Sequence, residues 1–354
     1  MGRVGADSSS AAPAHPGIAA VIVTYREVGL TLEAVASLKA QTRPPEEIVV
    51  IDNDPEGSLE EPLRCAHPDV RLLRADNIGY APACNKAVAA TTQDWIFFLN
   101  PDAWAEPSCL ERLAEVAIAD PRIAIVTPQV TFPDGARVNA GENPIHLTGI
   151  AWCGRFEEPV EEGPERQAFV TTGAAMLVRA DAYRRVEGYC DQFFLFYEDP
   201  DLCWRTWLAG SEVWFVPRAR VRHHYSWGTS AGKWFHLERN RLLSVLTNYR
   251  LSTLAVLFPL LAATEAALLA VAYREGWHTE KLRAYQSVWG ARAWIRGRRQ
   301  RFAETRSVPD ADIIGRFEAR VDTPQLQSGL ARRVGPILEH DPRMAVAAVR
   351  RIGR

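Results

Sequence analysis

Ile18-Ala19-Ala20-Val21-Ile22-Val23-Thr24, followed at once by Tyr25-Arg26-Glu27, is the stretch on which the fold turns. The run Ile18–Thr24 carries no charge and shows no alternation of apolar and polar residues. That is the pattern of a strand buried on both faces of a parallel sheet. The figure recurs downstream. Ile48–Ile51 is followed by Asp52-Asn53-Asp54, and Trp95–Leu99 by Asn100-Pro101-Asp102; Val70–Leu73 makes a shorter strand between them. Leu32, Val35 and Leu38 recur at helical spacing, Ala81–Ala90 and Cys109–Ala119 read as helices, and Ile123–Val126 as another strand. Strand alternating with helix predicts an α/β chain with a doubly wound, mostly parallel, Rossmann-like sheet. Ligands in such sheets sit at the carboxyl ends of the strands, where the three polar clusters fall.

Beyond this half the pattern loosens. Pro133-Asp134-Gly135 predicts a tight turn between two short strands. The stretch from Gly141 to Gln167, rich in Gly, Pro and Glu, predicts a mobile loop. Ala174–Val178 and Val213–Val216 read as strands, Val221 as the start of a third, and Lys233 to Arg354 as mostly helical.

The chain has 354 residues, of which 47% are hydrophobic and 24% charged, enough to bury a sizeable core. A net charge of −2 argues against a surface that grips nucleic acid as a whole, and no RNA- or DNA-binding motif accompanies the basic C-terminal stretch. The six cysteines form no CxxC pair, so neither a disulfide framework nor a zinc site is expected. Residues 1–16 read as a disordered leader without the apolar core of a signal peptide, which places the protein in the cytosol. No G-x-G-x-x-G follows the first strand, which disfavours a dinucleotide-dependent oxidoreductase.

The polar clusters, taken in order, resemble the family 2 glycosyltransferases of the GT-A fold. They are most similar to bacterial rhamnosyltransferases, with some likeness to galactofuranosyltransferases. The matching residues are Val21-Ile22-Val23-Thr24-Tyr25, Ile51-Asp52-Asn53, Asn77-Ile78-Gly79-Tyr80 with Asn85, and Leu99-Asn100-Pro101-Asp102. They continue with Thr172-Gly173-Ala174-Ala175-Met176, Tyr197-Glu198-Asp199-Pro200-Asp201-Leu202 and His223-His224. The family's glycine two residues after Asn85 is Ala87 here. The resemblance covers about two thirds of the chain. It implies a GT-A catalytic domain over 17–250, with a nucleotide-sugar half over about 17–130 and an acceptor half over about 131–250. Residues 251–354 follow as a helical C-terminal region.

The activity so implied is inverting transfer of a sugar, rhamnose as the first expectation, from a dTDP- or UDP-sugar to a cell-envelope polysaccharide or lipid-linked glycan. A catalytically silent sugar-nucleotide-binding scaffold of a glycan assembly complex is the alternative, and a homo-oligomer is allowed by either. A divalent cation, Mn²⁺ or Mg²⁺, would stabilise charge building on the departing phosphate. Asp102 matches the last carboxylate of the family's DxD motif and is the natural ligand, with Asn100 in the first position. By their residue types alone, Asn100-Pro101-Asp102 also read as a turn. His224, and with less support His223, would complete the metal or phosphate site.

By the same resemblance Asp199 takes the proton of the acceptor hydroxyl, while Glu198 and Asp201 orient the acceptor or the neighbouring backbone. Asp199-Pro200 also has the form of a helix N-cap and first turn, and the two readings are compatible. Asp52 would accept a hydrogen bond from the base, and Thr24, Tyr25 and Glu27 would line the base and ribose pocket. Asn77 and Gly79 would let backbone approach the nucleotide. Asn85 is either a nucleotide contact or a helix-surface residue. Gly173 and Ala174 either let the sugar lie close or serve strand packing.

Leu251–Tyr273 is apolar and nearly long enough to span a bilayer, although it contains Pro259 and Glu265. Arg274–Arg306 is basic and threaded with Trp277, Trp289 and Trp294. That mixture predicts attachment to the inner face of the cell membrane, the alternative being a helix hairpin packed on the catalytic domain.

Overall fold

The structure, a computed structural model, describes residues 16–224, 231–321 and 342–352. Most of the expected leader, and part of the chain beyond Val308, lie outside the described residues.

Strand β1 (Ile18–Thr24) shows why its sequence does not alternate. Ala19, Val21 and Val23 enter one apolar core while Ile18, Ala20 and Ile22 enter a second on the opposite face. Helix α1 (Val28–Lys39) covers the second face with Ala34, Val35 and Leu38. After it come β2 (Glu47–Asp52), α2 (Glu60–Ala66), β3 (Arg71–Arg74), α3 (Tyr80–Ala89), β4 (Trp95–Leu99), β5 (Ala103–Ala105) and α4 (Cys109–Ala119). β4 divides in the same way, Ile96 and Phe98 to one core, Trp95, Phe97 and Leu99 to the other. The chain continues through β6 (Ile123–Thr131), β7 (Val138–Ala140), β8 (Arg166–Gln167), β9 (Ala175–Arg179), α5 (Ala180–Arg185), α6 (Glu198–Leu208) and β10 (Glu212–His223).

The strand order is β3-β2-β1-β4-β9-β6-β10-β5, with β7 beside β6 and β8 beside β10. β3, β2, β1 and β4 are parallel, β9 runs against both β4 and β6, and β10 runs with β6. This is a mixed α/β fold with a mostly parallel central sheet of the GT-A kind. The order reverses between β1 and β4, so the ends of these two strands open the crevice in which such sheets hold ligands.

Two expectations are corrected. The segments at Val213 and Val221 are one strand, β10, continued through an irregularity between Val216 and Arg220 that shifts its register on β6. The Gly141–Gln167 stretch is not a loose loop in its first part, since Ile145, His146, Leu147 and Thr148 are buried. An irregular segment can be buried only if its carbonyls find donors. Here Tyr249 Oη donates to Leu147 O at 2.9 Å, Arg241 to Thr148 O at 2.8 Å, and Tyr197 Oη to Gly149 O. These donors lie far along the chain, out of reach of a local reading. The Pro133-Asp134-Gly135 turn forms as expected, with Gly135 at φ +70° between β6 and β7.

The rest is helical: α7 (Ala231–Asn248), α8 (Leu251–Glu275), α9 (His278–Gly290), α10 (Arg292–Thr305), α11 (Asp310–Ile314) and α12 (Pro342–Ile352). One side of α8 packs on the rest of the chain, with Leu257 in the core and Leu254, Leu260 and Leu261 against it. The helix exposes the stripe Leu251, Ala255, Phe258, Ala262, Ala266, Ala270 and Tyr273, spaced three and four residues apart and free of charge. Glu265 points the other way, accepting from Arg241 at 2.5 Å, Lys281 at 2.7 Å and Tyr285 Oη at 2.8 Å. Among the described residues α8 is the single helix long and apolar enough to cross a membrane by length and composition, with a mean hydropathy of 2.2 in its most apolar window.

Candidate active site

A cleft of about 720 Å³ opens at the ends of β1 and β4, and most of the sequence-predicted residues line it. Thr24, Tyr25 and Glu27 follow β1, Asn77 and Gly79 precede α3, Asn100 and Asp102 follow β4, and Gly173 and Ala174 precede β9. Thr24 is buried and accepts from Thr31 Oγ1 at 2.8 Å, which pins the end of β1 to α1.

Gly79 is required by its backbone. It sits at φ +96°, and a Cβ there would stand 2.6 Å from Phe194 O. Tyr80 N donates to that same carbonyl at 2.7 Å, so the close approach fixes the start of α3. Gly79→Ala is expected to lose about 1–3 kcal/mol of stability through left-handed backbone strain and the clash. Chemical denaturation checks this, and an unchanged midpoint would contradict the close approach.

Glu198 and Asp199 occupy the first turn of α6, entered through Phe196 and Tyr197 at φ +67° and +71°. Two successive non-glycine residues in the left-handed region carry a real cost, and such strain gathers where geometry must be exact for function. The entry turns both acids towards the cleft. Asp199 Oδ2 accepts from Gly173 N at 2.9 Å, whereas Glu198 Oε2 is buried without a partner. Burial, and then the adjacent Asp199 carboxylate, raise the pKa of Glu198. Burial raises that of Asp199 as well, against the Gly173 N–H, which favours its anion. Asp199 is therefore the acid better placed to be ionised, and Glu198 the better placed to keep its proton.

In the same cleft His223 Nε2 lies 3.2 Å from Asp102 Oδ1 and 3.5 Å from Asn100 Nδ2. Its Nδ1 stands 3.1 Å from Asn139 Oδ1. With the proton on Nδ1 donated to Asn139, Nε2 turns a lone pair towards a carboxylate. Two acceptors at that distance call for a proton or a cation between them. An imidazole and a carboxylate form a pair of donors that suits Mn²⁺. Among the described residues no three of His, Cys, Asp or Glu gather to enclose an ion. A site of this open kind has its coordination completed by substrate phosphates and water.

Four expectations change. His224 is exposed; it meets Asp102 only through its backbone N–H, while its ring rests 5.2 Å from that of Trp104. Successive residues of a strand face opposite ways, so His223 takes the inward position. Asp52 is buried, with Oδ1 accepting from Asp54 N and Oδ2 without a hydrogen-bond partner, and Asn53 is the residue of this pair that lines the cleft. Asn53 accepts from Ile78 N at 3.0 Å and so braces the loop before α3. Asn85 is neither a cleft contact nor a surface residue. It accepts from Tyr183 Oη at 2.6 Å and Tyr189 N at 3.1 Å, tying α3 to the chain after α5. Asp201 is fully buried on the far side of α6, bound to Arg205, Arg298, Ser244 and Asn248.

Two cleft residues, and one that braces His223, carried no signal in the sequence. Trp152 of the irregular segment after β7 and Lys233 of α7 line the cleft, and Asn139 of β7 holds His223 Nδ1, all outside every recognised motif.

The glycosyl transferase family 2 model matches residues 19–186. The chain is 28% identical over 242 residues to an N-acetylglucosaminyl-diphospho-decaprenol L-rhamnosyltransferase of Mycobacterium tuberculosis, covering 61% of this chain and 79% of that one. It is 29% identical over 219 residues to a pre-mycofactocin glycosyltransferase of the same organism, covering 60% and 44%. Among solved structures it is similar to GalNAc-T7 with UDP, GalNAc and Mn²⁺. The TM-score is 0.56 at 17% identity, over 70% of this chain and 51% of the other. That likeness bears on the fold, and the sheet order agrees with it. Residues 19–186, which supply β1 to β9 and the Asn100–Asp102 wall of the cleft, form a glycosyl transferase family 2 domain.

Proposed function

We propose that this glycosyltransferase is an inverting, metal-assisted enzyme that moves a sugar from a dTDP- or UDP-sugar to a cell-envelope or lipid-linked glycan. The observation that carries the reading is that Asp199 and the Asp102–His223 pair line one cleft. Thr24, Tyr25, Glu27 and Asn53 would hold the nucleoside at the end of β1. Asp102 and His223, with Asn100 beside them, would hold a divalent cation. When bound, that ion would act as a Lewis acid on the donor's diphosphate.

Asp199 would accept the proton of the attacking hydroxyl at Oδ1, the oxygen not occupied by Gly173 N–H. Glu198, kept protonated by burial, would then serve as a donor towards the acceptor without adding a second charge. Rhamnose is the first choice of sugar, from the likeness to the mycobacterial rhamnosyltransferase. The exposed stripe of α8 and the exposed Arg292 and Arg296 of α10 support work at the inner face of the cell membrane.

Calorimetric binding of UDP and dTDP, with and without Mn²⁺, tests the donor side. Binding that needs Mn²⁺ and weakens about 10- to 100-fold in both Asp102→Asn and His223→Ala is expected, the range typical when a metal site loses a supporting group. His224→Ala should bind as the wild type does. Folded protein that takes up neither nucleotide in Mn²⁺ would end the reading in favour of a scaffold.

A further inference from the structure

The left-handed turn at Phe196 and Tyr197 keeps its geometry only if its surroundings over-determine it. It lies between α5 and α6, outside every helix and strand, so its carbonyls need donors from elsewhere. Helix α7 supplies them. Asn240, fully buried, donates from Nδ2 to Leu195 O at 3.0 Å and to Phe196 O at 2.7 Å. Its Oδ1 accepts from Arg239 Nη1 at 3.0 Å, and the same Nη1 reaches Gln192 O at 2.7 Å. A guanidinium can only donate, so it fixes which end of the amide is oxygen and turns both N–H groups to the carbonyls. Those two carbonyls belong to the peptide planes on either side of Phe196. Holding both planes sets φ and ψ of that residue, and with them the direction in which Tyr197 enters α6.

Asn240 does not act alone on this face. Asn240, Ser244 and Asn248 recur every four residues on α7, a spacing that puts them on one side, and all three are buried. Ser244 and Asn248 donate to Asp201 Oδ1, in the first turn of α6. One side of α7 therefore grips the chain just before α6 and again just inside it. Glu198 and Asp199 lie between the two holds. Tyr197 adds a third, through its hydroxyl on Gly149 O.

We propose that Asn240 is a positioning residue for the catalytic base: by holding the peptide planes on either side of Phe196 it aims Asp199 at Gly173 N and into the cleft. This rests on the reading of Asp199 as the base and adds to it what holds the base in place. Asn240 is not one of the described residues that line the cleft, so its effect on turnover passes through the turn.

The geometry can be read without turnover at the amide of Gly173, which donates to Asp199 Oδ2 at 2.9 Å. Hydrogen exchange at that amide is measured by NMR in wild type, Asn240→Ala and Tyr249→Phe. Asn240→Ala should speed it about 10-fold or more, the loss of one hydrogen bond to a charged acceptor. The amides of β9, paired with β4, should stay slow and report that the variant folds. Tyr249→Phe also takes the donor from a buried carbonyl, that of Leu147, but away from the turn, and should leave Gly173 unchanged. Asn240→Ser keeps a hydroxyl donor and should give a smaller change in the same direction, which serves if Asn240→Ala does not fold.

Turnover of dTDP-rhamnose supplies the second readout. Asn240→Ala should lower kcat about 10- to 100-fold, the usual effect of misplacing a reacting group, with the donor KM within about twofold. Added to Asp199→Asn it should lower kcat no further, because both changes act through one carboxylate. Unchanged exchange at Gly173 would overturn the proposal. So would equal acceleration in Tyr249→Phe, or losses that multiply with Asp199→Asn. If Asp199→Asn keeps its turnover, the reading of the base fails, and exchange at Gly173 still decides whether Asn240 holds that acid.

Discussion

Asp199→Asn is expected to lower turnover by about 10²- to 10⁴-fold, the usual contribution of a positioned general base. Binding of UDP or dTDP in Mn²⁺ should stay within twofold of wild type, because Asp199 is bonded to Gly173 N and not to Asp102, His223 or the β1 end. The amide keeps an oxygen for the Gly173 N–H, 2.9 Å away in the wild type, so the start of α6 should hold. What it loses is the capacity to take a proton. The pH profile offers an independent check. Burial raises the pKa of Asp199, so its active, ionised form should disappear on acidification at a pH above the ordinary aspartate value of about 3.9. The acid limb of kcat/KM should lie correspondingly high in the wild type and be absent from the residual rate of the variant. A variant that turns over at half the wild-type rate would move the base elsewhere in the cleft. Glu198 is the nearest candidate, and Glu198→Gln would then show the loss instead.

Much of the sheet was legible because burial on both faces leaves an unmistakable mark. Ile18–Thr24 and Trp95–Leu99 have the predicted bounds, since every position in them is buried and any charge would have interrupted the run. The polar clusters were legible for a related reason. A strand that stops being apolar all at once has reached an edge, and in a parallel sheet that edge is the ligand side.

What could not be read was which way individual side chains turn at that edge. His223 and His224 differ by one residue in a strand, and only the register of β10 on β5 and β6 decides which ring faces Asp102. Asp52 and Asn53 present the same problem at the end of β2. Long-range bonding was equally silent. The buried carbonyls of Leu147 and Thr148 are satisfied by Tyr249 and Arg241, about a hundred residues away, so a sequence rich in Gly and Glu concealed a packed segment. The helical wall of the cleft escaped for a third reason. Trp234, Leu268 and Trp277 look like core positions of any helix, and only the packing of α7 and α8 shows that one side of them is open.

Asp201 is where a motif and its environment part company, and Asp201→Asn is expected to cost about 3–5 kcal/mol of stability, as when one partner of a buried ion pair is removed. Oδ2 accepts from Arg205 Nε at 2.9 Å and from Arg298 Nη2 at 2.7 Å. Oδ1 accepts from Ser244 Oγ at 2.9 Å and Asn248 Nδ2 at 3.2 Å. One carboxylate thus joins α6 to α7 and α10, and all three helices bear on the cleft or its supports. An amide offers one acceptor where the carboxylate offers two, and it leaves two buried guanidinium groups without a counter-charge.

The pH dependence has a definite sign. Burial alone would raise the pKa of Asp201, but Arg205 and Arg298 overcome it and hold the group far below the usual carboxylate range. The stabilisation is therefore complete above the unfolded value of about 3.9 and is lost only as pH falls through the depressed folded value. Denaturant titrations at pH 7 should show the full gap between wild type and Asp201→Asn, and titrations below pH 3 a narrowing one. If the variant instead keeps its stability and loses only its affinity for acceptor, Asp201 belongs to the cleft after all. The same outcome would mean that α6 is held in place by something other than this carboxylate.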